Sequence, residues 1–386
     1  MEPRPPLEDL KPVDPPRYRI GGFLIGLGLI VAILINASFV WLSWNKTMDF
    51  GSFAASGINL RKSSNPYDPS SDLIFDVKFP VLNAGGRLPN LNPPVILPLF
   101  ELISENSVLF AVHFWRVVSI LMFALTLIGL SRIFKGTAMR YLWAASITGA
   151  WHTFELGQIY IPLLVLTALI WTLSEKENFI LAGVFLGILV SIKPNLLVWV
   201  MLIAFSKNWK YALAALATVF VLGIIPIILY GGDIYREWLN VIRIDSHILP
   251  MPGNSSISGI LSRLDLASWS TASSITFLTF ILVLCFTKIR PTTKPNRINE
   301  IGLLVSLLIS PLAWTGYTIL LLPAFLSRNE WKWTRVISAA ILSIPFWVTL
   351  YFYQTSRLNA VIWGSIYMIP LVLTLYESLA TLPAAD

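Results

Sequence analysis

Apolar runs recur along the chain from residue 21 to residue 379 and are separated by short polar segments. A helix needs about 20 predominantly apolar residues to cross the hydrocarbon core of a bilayer. Six runs are long enough to predict spanning helices on their own: residues 21–44, 108–134, 211–230, 273–287, 336–353 and 360–379. The pattern therefore predicts an all-α polytopic membrane protein.

Six shorter apolar runs lie between the long ones: residues 141–154, 158–173, 179–192, 194–205, 301–312 and 317–326. If each of them crosses the membrane, or pairs with a neighbour as half-penetrating helices, the bundle has about twelve spans and both termini lie on the same side. We expect one membrane domain over residues 21–380, with tails at 1–20 and 381–386. Two long connections, 45–107 and 231–270, then lie on the side opposite the termini.

Composition excludes a soluble protein and several kinds of site. Of the 386 residues, 55% are hydrophobic and 13% are charged, whereas soluble domains carry about 25% charged residues. The single cysteine, Cys285, excludes an intrachain disulfide and a cysteine-based zinc cluster. The three histidines (His113, His152 and His247) are scattered without a metal-binding spacing, so we expect no metal cofactor.

The net charge of +7 reflects topology rather than nucleic-acid binding. With the N-terminus inside, 17 of the 28 Lys and Arg residues fall in the short cytoplasmic segments of the twelve-span arrangement, as the positive-inside rule requires. The two long connections carry acids, Asn, Gly and Pro without a positive excess. We therefore expect cytoplasmic termini and a site on the extracytoplasmic face.

Asp49 follows the first predicted helix, where the chain leaves the membrane. A carboxylate in this position is partly desolvated, which raises its pKa and suits it to act as a general base. An interfacial Asp that only ends the helix is the alternative from this residue alone.

Lys193 is the most informative single residue because apolar residues flank it on both sides. A lysine within the bilayer is costly, and it usually faces a cavity or a partner. Its compact charge suits a phosphate, although a snorkelling lysine fits the same pattern. Arg263 follows the loop 253–259, whose small polar residues, including Asn254 and Ser255, predict either a concave anion site or a flexible loop.

Three further short segments predict rigid turns that carry hydrogen-bonding side chains. They contribute Asn65 and Tyr67, Asn92, and Gln158 as candidate substrate-binding residues. Ordinary loop structure is the alternative for each segment taken alone.

Taken in order, these segments resemble those of glycosyltransferase family 87. The resemblance runs over about residues 39–323 and rests on the order and spacing of short motifs: Met48-Asp49-Phe50, Asn65-Pro66-Tyr67, Asn92-Pro93-Pro94, Gly157-Gln158, Lys193-Pro194, Asn254-Ser255-Ser256 and Ser310-Pro311-Leu312-Ala313-Trp314.

The resemblance implies a bacterial plasma-membrane enzyme of the C-type glycosyltransferase fold. Such an enzyme moves a sugar, typically mannose, from a polyprenyl-phosphate donor to a lipid-linked or glycan acceptor, with inversion at the anomeric carbon. Asp49 takes the role of general base, and Lys193 and Arg263 bind the donor phosphate. Because Asp49 has no acidic neighbour nearby in sequence, we expect a metal-independent reaction.

One position departs from the family pattern. Where the family usually has a histidine after its Ser-Pro-x-x-Trp motif, this chain reads Thr315-Gly316-Tyr317. This departure keeps open a catalytically silent glycolipid-binding relative. A lipid-linked-sugar transporter is a further alternative, although the chain shows no repeat symmetry between halves of the kind that transporter folds favour.

Overall fold

Helices predominate in the computed structural model, which describes residues 16–46, 49–68, 76–79, 84–87, 89–105, 107–244, 248–289 and 293–382. His247 and the two tails 1–15 and 383–386 lie outside these residues. The first ten helices are α1 (Pro16–Leu42), α2 (Phe50–Arg61), α3 (Leu97–Ile103), α4 (Val108–Ile133), α5 (Ala138–Ser146), α6 (Thr148–Leu156), α7 (Tyr160–Glu175), α8 (Phe179–Ile192), α9 (Leu197–Phe205) and α10 (Trp209–Tyr230).

Nine helices follow in the second half of the described chain: α11 (Asp233–Ile244), α12 (Ile257–Arg263), α13 (Ser270–Lys288), α14 (Pro295–Ile309), α15 (Leu322–Leu326), α16 (Trp333–Leu342), α17 (Phe346–Tyr353), α18 (Arg357–Gly364) and α19 (Met368–Ala380). The first long connection also forms one antiparallel hairpin from β1 (Asp76–Phe79) and β2 (Ala84–Arg87). Short 3₁₀ turns occupy Pro94–Ile96, Pro194–Leu196, Ala267–Trp269 and Thr315–Leu321.

Four of the six long apolar runs are confirmed as helices that are long and apolar enough to cross a membrane: Gly22–Leu42, Val108–Ile133, Trp209–Tyr230 and Ala267–Lys288. The other two runs are broken rather than continuous. α16 and α17 meet at 78°, and α18 and α19 meet at 41°. Pro345 lies at the first break, and a proline disfavours helical backbone in the residue before it. The described residues thus hold four to six candidate spans, and the twelve-span arrangement and its sidedness stay predictions.

The close contact between α8 and α10 fixes the part of the bundle that leads to Lys193. Gly183 and Gly187 lie one turn apart on α8, and a Cβ atom at either would come within 2.5 Å of a backbone oxygen of α10. Small residues at this spacing let membrane helices approach closely. The end of α8, where Lys193 follows, is therefore held rigidly against α10.

A buried ion-pair network joins α14, α16 and α19. Arg335 is fully buried and pairs with Glu300 of α14 and with Glu377 of α19, the latter at 2.9 Å from Nε to Oε1. Arg328 pairs with Glu300 as well. Because each buried charge has a partner, the network ties these three helices together without leaving an unpaired ion in the bundle.

Candidate active site

Asp49 lies between α1 and α2, at the N-cap position of α2, without a side-chain capping hydrogen bond. The side chain is half-buried, and its Oδ2 accepts a hydrogen bond from Nε2 of Gln158. Gln158 follows Gly157, which ends α6 at a φ of +72°. A Cβ atom at Gly157 would lie 2.8 Å from Cβ of Phe50. Both the left-handed backbone and the close approach require glycine there. The tight turn brings Gln158 to Asp49, two residues that the sequence indicated separately.

Arg116 of α4 holds the two segments that carry this pair. It is fully buried, and its guanidinium donates to the carbonyl oxygens of Trp44 and Lys46, after α1, and of Phe154 and Glu155, at the end of α6. Sequence reasoning did not single out this role. The signal was available, because an arginine inside a predicted span seldom lacks a structural or functional partner.

Lys193 caps the end of α8 and precedes the 3₁₀ turn Pro194–Leu196. Its Nζ donates to Oδ1 of Asn92 at 2.8 Å. The same ammonium lies 5.3 Å from the ring centroid of Tyr160 and 5.6 Å from that of Tyr317, distances at which aromatic rings attract a cation. Lys193 therefore faces polar and aromatic partners inside the bundle.

The loop residue Asn92 is held in place by a buried chain of hydrogen bonds. Its Nδ2 donates to Oδ1 of Asn90 at 2.9 Å, and Asn90 in turn donates to Oγ of Ser56 at 3.1 Å. The hydroxyl of Tyr67 donates to the carbonyl oxygen of Asn92 at 3.0 Å. Asn65 is exposed and accepts from the backbone N–H of Tyr67. Tyr67 and Asn65 thus position Asn92. Asn90 belongs to the same predicted turn as Asn92, whereas no sequence motif indicated Ser56.

The carboxylate and the lysine share one electrostatic environment without forming an ion pair with each other. Burial raises the pKa of Asp49, and the negative charge of Glu155 raises it further. The Gln158 hydrogen bond and the charges of His152 and Lys193 act in the opposite direction on this pKa, but burial dominates. A carboxylate with a raised pKa suits proton removal from a neutral group.

Arg263, Asn254 and Ser255 form a separate cluster. Arg263 is buried, and its guanidinium donates to Ser365 and to the carbonyl oxygens of Met251 and Asn254, with a longer bond to that of Pro250. Binding of a donor phosphate by Arg263 stays a prediction, and it would require some of these hydrogen bonds to break.

The loop of Asn254 and Ser255 closes onto the segment after α14. Oδ1 of Asn254 accepts from the N–H of Ala313 at 3.0 Å, and the N–H of Ser255 donates to the Ala313 carbonyl at 2.8 Å. Ser310, at the start of the same segment, accepts from Asn195 at 3.1 Å. The loop is thereby linked to the Lys193 turn through the segment 310–313 and the side-chain hydrogen bond between Asn195 and Ser310.

Gly316 packs directly under the ring of Tyr160. A Cβ atom at this position would lie 2.4 Å from Cδ2 of that ring, and the Tyr160 and Tyr317 ring centroids are 4.5 Å apart. The space beside residue 316 is therefore filled by Tyr160, one of the two rings that face Lys193.

An apolar cavity of about 380 Å³ opens next to Lys193. It lies between α8, α10 and α11, and Pro93, Pro194, Phe220 and Trp238 are among its lining residues. Phe220 is 69% exposed on the outer face of α10. Because α10 is a candidate membrane span, this cavity forms a groove that is open to the bilayer beside the lysine.

Within the described ranges, no three His, Cys, Asp or Glu side chains are placed so that they could share a metal ion. Glu155 is nevertheless an acidic neighbour of Asp49 that is distant in sequence. The metal-independent reaction stays a prediction.

A carboxylate and a lysine that influence each other electrostatically among apolar helices, next to a groove open to the bilayer, define a membrane protein with a built polar site. The family comparison specifies the class: the model of glycosyltransferase family 87 matches residues 90–311, more than half of the chain. The chain belongs to this family, which makes it a membrane glycosyltransferase. No curated protein and no solved structure matches it.

The contact between Gly316 and Tyr160 gives a test of the site's packing. Replacing Gly316 with Ala forces a Cβ atom into the Tyr160 ring, and overpacking of this kind costs about 1–3 kcal/mol. We expect Gly316→Ala to lower the unfolding temperature of the purified protein, and we expect Tyr160→Ala to remove most of that extra loss in the double variant.

Gly129→Ala is the matched control, because nothing lies within 4 Å of a Cβ atom at that position. Equal effects of Gly316→Ala with and without Tyr160 would show that the two residues do not pack as described.

Proposed function

We propose that this glycosyltransferase moves a sugar, typically mannose, from a polyprenyl-phosphate donor to a lipid-linked or glycan acceptor on the extracytoplasmic face, with inversion at the anomeric carbon. The observation that carries the proposal is the placement of Asp49 and Lys193 in one half-buried cluster, each hydrogen bonded to a neutral amide. Family membership supports the transfer of a sugar, and the groove beside Lys193 supports a donor with a lipid chain.

Asp49 acts as the general base in this proposal. An acceptor hydroxyl attacks the anomeric carbon while the carboxylate of Asp49 takes its proton, and the bond from that carbon to the phosphate oxygen breaks. Gln158 fixes one carboxylate oxygen, which leaves the other available for the hydroxyl. A single carboxylate suffices, because a phosphate leaves without the protonation that an ordinary glycosidic leaving group needs.

Lys193 stabilises the departing phosphate. The donor is a phosphodiester with one negative charge, and departure yields a phosphate monoester, whose second ionisation has a pKa of about 6. Negative charge therefore develops during the reaction next to an ammonium that Asn92 holds in place. Fixed charges aimed at developing charge in a low-dielectric site are the most effective form of electrostatic catalysis.

The apolar groove holds the polyprenyl chain. Its walls are formed by Val190, Pro194, Phe220 and Trp238, among others, and Trp238 is tied to the Asn92 loop by a bond from Nε1 to the carbonyl of Leu91 at 3.1 Å. A chain bound here enters from the bilayer and places its phosphate near Lys193.

The first functional prediction concerns the base. Asp49→Asn keeps an oxygen that can accept from Gln158 but removes the basic group, so we expect sugar transfer to fall by about 10²–10⁴-fold with little change in unfolding temperature. Transfer is measured with purified protein, a polyprenyl-phosphate mannose donor and a panel of acceptors. Asp233→Asn, at an exposed residue of α11, is the control.

An unchanged rate of sugar transfer in Asp49→Asn would show that Asp49 is not the general base. Movement of the lipid-linked sugar across vesicles without formation of a new glycosidic bond would instead support a transporter.

The second prediction concerns pH. A general base works in its deprotonated form, so the transfer rate rises with pH through the pKa of Asp49. Because burial raises that pKa, we expect the midpoint of the rise in kcat/KM to lie above about 3.9, the ordinary value for Asp. The residual rate of Asp49→Asn should lack this rise. A wild-type rate that stays flat down to about pH 4 would contradict the assignment.

The third prediction concerns the leaving group. Lys193→Gln removes the charge while keeping a donor for Asn92, so we expect kcat to fall by about 10²–10³-fold and the donor KM to change less. Interactions that strengthen only in the transition state give this split. Lys62→Gln, at an exposed lysine after α2, serves as control. A large rise in donor KM with unchanged kcat would limit Lys193 to ground-state binding.

A further inference from the structure

A second cavity, of about 230 Å³, lies on another side of the Asp49 segment, between the end of α1, the end of α6 and the start of α17. Its lining residues are Phe39, Leu42, Ser43, Lys46, Glu155 and Trp347. The mechanism described above assigns no role to this cavity. It is smaller than the roughly 300–1,000 Å³ of pockets for drug-sized ligands, which suits a single small polar unit.

Glu155 places a buried carboxylate in the wall of this cavity. The residue is 4% exposed, and its Oε2 accepts from Nε1 of Trp347 at 3.1 Å and lies 3.8 Å from Nδ1 of His152. Among the described residues, the Trp347 indole is the only group that donates a hydrogen bond to this carboxylate within ordinary distance. A carboxylate has about four acceptor sites, so capacity remains for donors from a ligand.

The same cavity has an aromatic wall. Trp347 stacks on Phe39 with ring centroids 4.8 Å apart and planes at 21°, which fixes the orientation of the indole. Lys46 and Ser43 line the cavity as well. A flat aromatic face next to a few convergent polar groups is the combination that binds a sugar ring, since the ring has apolar C–H faces and a rim of hydroxyl groups.

The cavity is coupled to the base through Glu155 and through the chain segment that carries Asp49. Glu155 acts electrostatically on Asp49, and Lys46 lies three residues before Asp49 in the chain. The Arg116 guanidinium donates to the carbonyl oxygens of both Lys46 and Glu155. The same side chain therefore holds the cavity walls and the Asp49 segment in place. The groove beside Lys193 is formed by different helices, α8, α10 and α11.

We propose that this second cavity binds the saccharide that accepts the transferred sugar, with Glu155 accepting hydrogen bonds from its hydroxyl groups and Trp347 stacking on its ring. The assignment rests on the proposed function, because it takes Asp49 as the base that the acceptor hydroxyl must reach. It separates the two substrates: the donor phosphate lies at Lys193, and the acceptor enters between α1 and α17.

Kinetics of two variants test this separation. Glu155→Gln keeps an oxygen for the Trp347 bond but weakens binding of hydroxyl groups, and Trp347→Leu removes the stacking face. We expect Glu155→Gln to raise the acceptor KM by about tenfold or more, because a hydrogen bond to a charged group is replaced by a weaker one to a neutral group. We expect Trp347→Leu to raise the acceptor KM as well, through loss of stacking, and both variants to leave the donor KM unchanged. Glu105→Gln and Trp209→Leu, at exposed positions, are the matched controls.

An altered pH profile of Glu155→Gln with an unchanged acceptor KM would overturn the proposal, because it would limit Glu155 to tuning the charge of Asp49. An unchanged acceptor KM in both variants would overturn it as well.

A binding measurement tests the cavity independently of activity. The probe is a decyl mannoside with a photoreactive diazirine, applied to the full chain in lipid nanodiscs, and labelled peptides are mapped by mass spectrometry. We expect labelling of the ends of α1 and α6 that methyl mannoside competes away, and at least about fivefold weaker labelling in Glu155→Gln and Trp347→Leu. Labelling elsewhere, or labelling that only decanol displaces, would contradict a saccharide site.

The transfer assay and the labelling experiment together distinguish failure of the saccharide site from failure of the proposed function. If methyl mannoside competes with labelling at this cavity but the protein transfers no sugar, the proposed function is wrong and the saccharide site stands. If the protein transfers sugar, the acceptor KM is unchanged in Glu155→Gln and Trp347→Leu, and labelling falls elsewhere, the proposed function stands and the saccharide site is wrong.

Discussion

The arrangement of the site depends on one constraint: a charge among apolar helices must be stabilised without being cancelled. Asp49 and Lys193 meet this constraint through neutral partners. Gln158 donates to the carboxylate, while Asn92 and the rings of Tyr160 and Tyr317 face the ammonium. A direct ion pair would have stabilised both charges but would have left neither available for a substrate. Amide and aromatic partners hold them in place and leave their charge to act on a ligand.

The remaining buried cations build the scaffold around this pair. Arg116 binds four carbonyl oxygens and joins the end of α1 to the end of α6. Arg263 closes the loop of Asn254, and Arg335 ties three helices together through two glutamates. Arginine suits these roles because its planar group makes several directed hydrogen bonds at once. Lysine, with a compact charge, occupies the position between two residues that line the groove, Ser191 and Pro194.

Sequence reasoning found the charged pair and the four longest helices, because a lysine or a carboxylate within apolar sequence is costly and 20-residue apolar runs are unambiguous. It missed the breaks between α16 and α17 and between α18 and α19, where apolar composition continues across the bend. Pro345 was a signal for the first of them. Sequence reasoning also could not bring Glu155 next to Asp49 or place Tyr160 over Gly316, since those contacts join segments far apart in the chain.

The most direct test of the account is a structure with donor bound, determined by cryo-electron microscopy of the Asp49→Asn variant in nanodiscs with polyprenyl-phosphate mannose. We expect the phosphate within about 2.7–3.2 Å of Nζ of Lys193, the sugar between Lys193 and residue 49, and the polyprenyl chain in the groove between α8, α10 and α11. A phosphate bound away from Lys193, with the lysine still facing only Asn92 and the two tyrosines, would contradict the account.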